Sequence, residues 1–138
     1  MQQDNIQMIR LSNGVRIVTE KMPGVSSVSL GIWVGTGARM ERAGEEGISH
    51  FIEHLMFKGT KKRSARDIAE SLDSVGGQLN AFTAKEMTCY YARVMAEHLP
   101  LAVDVLSDMM FNSVFEKGAL DKERGVVKEE ISMYEDTP

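Results

Sequence analysis

The chain opens with strand-like segments at Ile6–Leu11 and Val15–Glu20. They flank Ser12-Asn13-Gly14, where the Asn-Gly pair supplies a hairpin turn. A longer apolar stretch, Val25–Val34, predicts a buried strand. Gly35-Thr36-Gly37 then starts a polar loop that runs to Gly47; a third glycine at dinucleotide-loop spacing is missing. The period turns helical over Ile48–Phe57. A second helix is predicted from Ser64, with Asp67 at capping-box spacing, to about Val75, where Gly76-Gly77 ends it. Gln78–Met95 reads as a second hairpin, broken at Lys85-Glu86. Leu99–Val114 predicts a helix with Pro100 near its start and Leu101, Val105 and Met109 on one face, and Ala119 to about Asp136 predicts a last helix. Strands interleave with helices and pair as hairpins. The expected class is therefore α+β, a mixed, largely antiparallel sheet with helices packed on it.

The 138 residues contain no repeat, low-complexity tract or linker, so residues 1–138 are expected to have no internal boundary. A content of 43% hydrophobic and 26% charged residues excludes collagen, disorder and a disulfide scaffold. No apolar run has the length of a membrane helix, and no apolar leader follows Met1, so no membrane partner is expected. The single cysteine, Cys89, permits no internal disulfide and fits a reducing compartment; its apolar surroundings predict inert core. With a net charge of −4, nucleic acid is not an expected partner. The short basic stretch Lys61, Lys62, Arg63 and Arg66 reads as a solvated loop and helix start, with a phosphate site as the alternative. The ten methionines read as flexible core filler rather than a metal-binding cluster. His98, before Leu99-Pro100, is expected at the surface.

Chemistry concentrates in Gly47-Ile48-Ser49-His50-Phe51-Ile52-Glu53-His54-Leu55-Met56-Phe57. On a helix, His50 and His54 lie one turn apart on one side, with Glu53 beside them. Ile48, Phe51, Ile52, Leu55 and Met56 lie opposite, a face the helix can bury. Two imidazoles at this spacing can both reach one Zn²⁺, and a neighbouring carboxylate that does not ligate can take a proton from water. The order His-x-x-Glu-His is the inverted zinc-protease motif. The alternative is a polar helix face in water. A zinc site needs a third protein ligand.

The last helix holds the candidates. With Leu120 at 0° and about 100° per residue, Val127, Ile131 and Tyr134 form an apolar stripe. Glu130 (roughly 280°) and Glu123 (roughly 300°) flank that stripe and stack two turns apart, while Glu129 (roughly 180°) faces away. Carboxylates leaning inward need a partner, and a metal or a metal-bound histidine would serve. The alternative is a pair of glutamates whose heads reach water.

His50-Phe51-Ile52-Glu53-His54, followed by Leu55, Phe57, Lys58, Gly59 and Thr60, resembles the signature of the pitrilysin family of zinc peptidases. In that family the third ligand is a glutamate about 76 residues beyond the second histidine, which here is Glu130, the residue that helix facing selects. The resemblance implies one Zn²⁺ on His50, His54 and Glu130, catalysis by Glu53, and a supporting acid at Glu123. Asn80-Ala81-Phe82-Thr83 resembles the family's substrate-pairing edge strand; the alternative is an ordinary internal hairpin. The ending Met133–Pro138 resembles the processing-peptidase branch. Family members are longer clamshells of homologous domains, so the chain is expected to be the first part of an N-terminal domain, a truncated half-domain.

The expected function is that of a zinc-dependent endopeptidase of the processing-peptidase type, acting on extended peptides in a bacterial cytoplasm. The isolated segment is expected to be inactive. Its expected partners are a peptide or unfolded polypeptide substrate, a missing C-terminal homologous domain, and a second full-length chain in a homodimer. The alternatives are a non-catalytic assembly subunit and a structural fragment.

Overall fold

A computed structural model describes the backbone of residues 5–135 and the side chains of residues 5–130. Asp136, the side chains of Ile131 and Tyr134, and the ending Met133–Pro138 lie outside that description in whole or in part. Five strands and four α-helices follow in the order β1 (Ile6–Arg10), β2 (Arg16–Glu20), β3 (Ser27–Val34), α1 (Ile48–Leu55), α2 (Ala65–Asp73), β4 (Gln78–Thr83), β5 (Thr88–Met95), α3 (Leu99–Asn112) and α4 (Lys117–Glu135). The α+β class holds, and every strand pairing among the described residues is antiparallel.

Strands β1 and β2 form a separate two-stranded sheet, joined by a turn in which the Val15 N–H donates to the Asn13 side chain. Met8 and Val18 face each other across it, both more than 60% exposed. The main sheet has the order β3-β5-β4. Alternation along β3 and β4 turns Val28, Leu30, Ile32, Leu79 and Ala81 toward the helices. They pack with Ile68 and Leu72 of α2, Tyr90, Ala92 and Val94 of β5, and Ala102, Val105, Leu106 and Met109 of α3. Trp33, Phe82 and Tyr91 occupy the opposite face; Cys89 lies in register between Trp33 and Phe82 and is buried there. Burial pushes the Cys89 thiol pKa up, as suits an inert core thiol.

Helix α2 begins with the capping box expected from Ser64 and Asp67: each side chain bonds the other's backbone N–H. The basic stretch is partly structural. Arg63 donates to Asp108, which is 2% exposed, and also to Asp104, while Arg66 pairs with Glu70. Asp108 further accepts from Thr60 Oγ1 (2.7 Å) and Asn112 Nδ2 (3.0 Å), so the loop after α1 is clamped to α3. His98 lies at the surface, half-buried beside Glu97.

Helix α1 starts at Gly47, whose φ of 86° is left-handed and whose missing side chain cannot cap the helix. Glu41 does so from outside. Its carboxylate accepts the N–H of Gly47 at 2.8 Å and of Ser49 at 2.9 Å. Burial alone would raise the Glu41 pKa, but bonds from Ser49 and Gly47 outweigh it and hold the carboxyl below its usual range. The loop carrying Glu41 is fastened to the β4–β5 turn: Ala38 N–H donates to Ala84 O (3.1 Å) and Arg39 N–H to Lys85 O (2.7 Å). Gly37 permits that approach, since a Cβ there would lie 2.2 Å from Ala84 O.

Helix α1 lies against α4 and β4, and its apolar face is buried only in part. Leu55 and Met56 are buried, but Ile48 and Ile52, one turn apart, are 43% and 41% exposed. Phe51 is half-buried, and so are His50, Glu53 and His54 on the other side, which meet polar groups of α4 and β4.

Glu41→Ala should cost about 1 kcal/mol, the usual value of a lost N-cap. Amide hydrogen exchange should show faster opening of the first turn of α1 while α3 stays protected. A carboxyl whose pKa is lowered by folding stabilises above its unfolded pKa, about 4.3, and that contribution fades as pH falls through the lower folded value. Wild-type protein should lose first-turn protection below about pH 4.3, and Glu41→Ala should lack that acid step.

Candidate metal centre

His50 and His54 project from successive turns of α1, and their Nε2 atoms stand 3.0 Å apart with the rings nearly perpendicular. Glu130, two-thirds of the way along α4, brings Oε2 to 3.6 Å from His50 Nε2 and 3.5 Å from His54 Nε2. Among the described residues these form the one group of three with metal-ligating atoms in such proximity. Glu129, the neighbour of Glu130, is exposed, as helix facing predicts.

Glu123 lies two turns before Glu130 and is 5% exposed. Its Oε1 meets His54 Nδ1 at 2.9 Å, and its Oε2 meets Lys58 Nζ at 2.7 Å. Burial would raise its pKa; bonds from Lys58 and His54 outweigh that and hold it low, so the group is a carboxylate. A carboxylate only accepts, so Nδ1 of His54 carries a proton, and in the neutral ring Nε2 then presents a lone pair. That lone pair faces a carboxylate oxygen of Glu130 and the second imidazole. The lone pair on His54 Nε2 can be met there by an N–H of His50 or by a cation shared with His50 Nε2 and Glu130 Oε2.

The spacing also fits a particular cation. With metal–ligand bonds near 2.1 Å, two ligands of a tetrahedral zinc are about 3.4 Å apart. The three edges here, 3.0, 3.5 and 3.6 Å, scatter around that value. Two imidazole nitrogens and one carboxylate form a donor set typical of catalytic zinc, with a fourth position left for solvent. His50, His54 and Glu130 could therefore hold zinc, with Glu123 fixing the tautomer of one ligand.

Glu53 stands beside this trio and outside it. Its Oε2 accepts a hydrogen bond from the Thr83 hydroxyl at the end of β4. Thr83 thus reaches the Glu53 side of α1, rather than only the strand edge. Phe82 points to the other face of the sheet, against Trp33 and Tyr91. Asn80 accepts the Ala81 N–H at its own side-chain oxygen (2.8 Å). Asn80, Ala81, Phe82 and Thr83 lie on an edge strand, since β4 has β5 on one side and no described strand on the other. Tyr90, buried beneath, has its phenol pushed up to about 12, by burial first and by the Glu53 charge second.

Glu41 carries no sequence signal of its role, and Lys58, although part of the signature after His54, gives no sign in the sequence of its contact with Glu123. Lys58 stands one turn beyond His54, but its partner Glu123 lies on another helix. Glu41 shows no spacing signal, because it caps a helix from a loop.

A sequence profile of the insulinase peptidases, family M16, matches residues 16–138. A Bacillus subtilis protein named uncharacterized zinc protease YmxG is 58% identical over 133 residues, which cover 96% of this chain and 32% of that protein. A Streptomyces coelicolor protein, also named an uncharacterized zinc protease, is 52% identical over 133 residues, covering 96% of this chain and 29% of that one. The crystal structure of a protease from Helicobacter pylori superposes with a TM-score of 0.87 at 27% identity, covering 91% of this chain and 30% of that one. The chain spans about a third of the length of these relatives. No helix among the described residues is long and apolar enough to cross a membrane. With the match running from residue 16 to residue 138, the chain belongs to the insulinase family of peptidases, M16.

Proposed function

We propose that this chain carries the zinc centre and general base of a metalloendopeptidase of the processing-peptidase type. One Zn²⁺ is held by His50 and His54 of α1 and Glu130 of α4. The observation that carries the reading is the triangle of 3.0, 3.5 and 3.6 Å among two imidazole nitrogens and a carboxylate oxygen, edges that scatter around the value of about 3.4 Å for a tetrahedral zinc site. The relatives named zinc proteases support the choice of metal.

When bound, zinc supplies a Lewis acid that polarises the scissile carbonyl and eases deprotonation of a water. Glu53 takes that proton. Thr83 holds its Oε2, and Oε1 accepts the proton. Glu123 keeps the His54 proton on Nδ1, so that Nε2 stays available. An extended peptide adds to the open edge of β4 at Asn80–Thr83 through main-chain bonds, an arrangement that brings its carbonyl near Glu53. The substrate is a peptide or unfolded polypeptide. The whole enzyme would act in the bacterial cytoplasm as a homodimer, each chain adding a second homologous domain to enclose the site. Residues 1–138 alone would bind zinc and turn over peptide poorly, because an open site positions substrate loosely.

Two neighbours with the same chemistry test the metal assignment. Glu130→Ala should weaken zinc binding at least tenfold in a chelator competition, whereas Glu129→Ala should leave it within about twofold. Equal losses would remove Glu130 from the site.

Glu53→Gln, made in a full-length protein containing this segment, should retain zinc and lose peptidase activity by at least about 100-fold. Near-normal turnover with zinc bound would assign the base to another residue. A segment that instead serves as a non-catalytic subunit would give a full-length protein without peptide cleavage, whatever stands at position 53.

A further inference from the structure

The geometry points to Lys58 as a positioning residue for the metal centre, acting on His54 through Glu123; the inference rests on the zinc reading above. The Glu123 carboxylate is bound at both oxygens, Oε1 by His54 Nδ1 at 2.9 Å and Oε2 by Lys58 Nζ at 2.7 Å. A carboxylate bound at one oxygen can still swing about that contact. Bound at both, its plane is set, and so is the direction from which it accepts the His54 proton. The imidazole is rigid, so fixing Nδ1 fixes where Nε2 aims: at the point it shares with His50 Nε2 and Glu130 Oε2.

Lys58 is itself held for this task. Its backbone N–H closes the end of α1 on Leu55 O at 3.0 Å. The residues after it are clamped to α3. Lys61 N–H donates to Asn112 O (3.0 Å), Val114 N–H to Gly59 O (3.3 Å), and Thr60 Oγ1 and Arg63 Nη1 both reach the buried Asp108 at 2.7 Å. The lysine therefore leaves a backbone fixed on both sides, and its ammonium reaches a carboxylate that is 5% exposed. An ordinary surface pair joins two mobile groups and contributes little. Here one partner is buried and is already committed to a metal ligand. The chain of contacts runs from Asp108 on α3, through the 59–63 loop, to Lys58, Glu123 and His54.

The test uses the full-length protein and zinc affinity measured by chelator competition, with Co²⁺ absorption as a second readout. Lys58→Met keeps the length of the side chain and removes the donor. It should bind zinc about tenfold more weakly than wild type, the low end of what loss of a ligand-orienting contact costs. Lys58→Arg, which keeps a donor and charge, should restore affinity to within about threefold. In a Glu123→Ala background, Lys58→Met should change affinity by no more than about twofold, because the lysine acts through the carboxylate. The Co²⁺ bands should change alike in Lys58→Met and Glu123→Ala. Unchanged zinc affinity in Lys58→Met, or a tenfold loss that persists without Glu123, overturns the relay while leaving the zinc centre standing. A wild-type protein that takes up no zinc, or binds it as tightly after His50→Ala, overturns the zinc centre and the relay together.

Discussion

Glu123 is the interaction on which the arrangement depends. A carboxylate taken out of water costs several kcal/mol unless charge and hydrogen bonds compensate it. Here they come from His54 and Lys58, one at each end of the same turn of chain, so α4 can bury Glu123 only by docking against α1 in one rotation and one register. That docking carries Glu130, two turns further along α4, to the two histidines. The site is a consequence of satisfying one buried charge, and its precision comes from the rigidity of the two helices.

The same logic explains which way α1 faces. Its apolar residues offer a stripe that the core could take, yet Ile48 and Ile52 remain more than 40% exposed. The polar side finds partners within the segment: Glu53 the Thr83 hydroxyl, His54 the Glu123 carboxylate, and the imidazoles Glu130. Leu55 and Met56, at the helix end, still reach the core. Glu41 completes the placement by closing the first turn from a loop tied to the β4–β5 turn. Helix α1 is thus held at its start, along its inner side and at its end.

Among the described residues, the open edge of β4 and the apolar β1–β2 hairpin are both left without a further strand partner. Their consequences differ. The edge of β4 ends at Thr83, in contact with Glu53, so any strand added there runs toward the side of α1 that carries Glu53. The hairpin lies in a separate sheet.

The local sequence determined whatever depends on neighbours along the chain. Asn13-Gly14 set the first turn, Ser64 and Asp67 the start of α2, and the spacing of His50, Glu53 and His54 put three chemical groups on one side of one helix. Helical periodicity also separated Glu123 and Glu130 from Glu129, because a rotation of 100° per residue is a property of the backbone alone. Which side of α1 would turn inward was decided only by tertiary structure, since amphipathicity defines two faces without stating what each will meet. The roles of Lys58 and Glu41 were decided there as well. Each bonds a group that is distant along the chain or belongs to the backbone, and a spacing rule has no purchase on a contact made only when separate elements pack together.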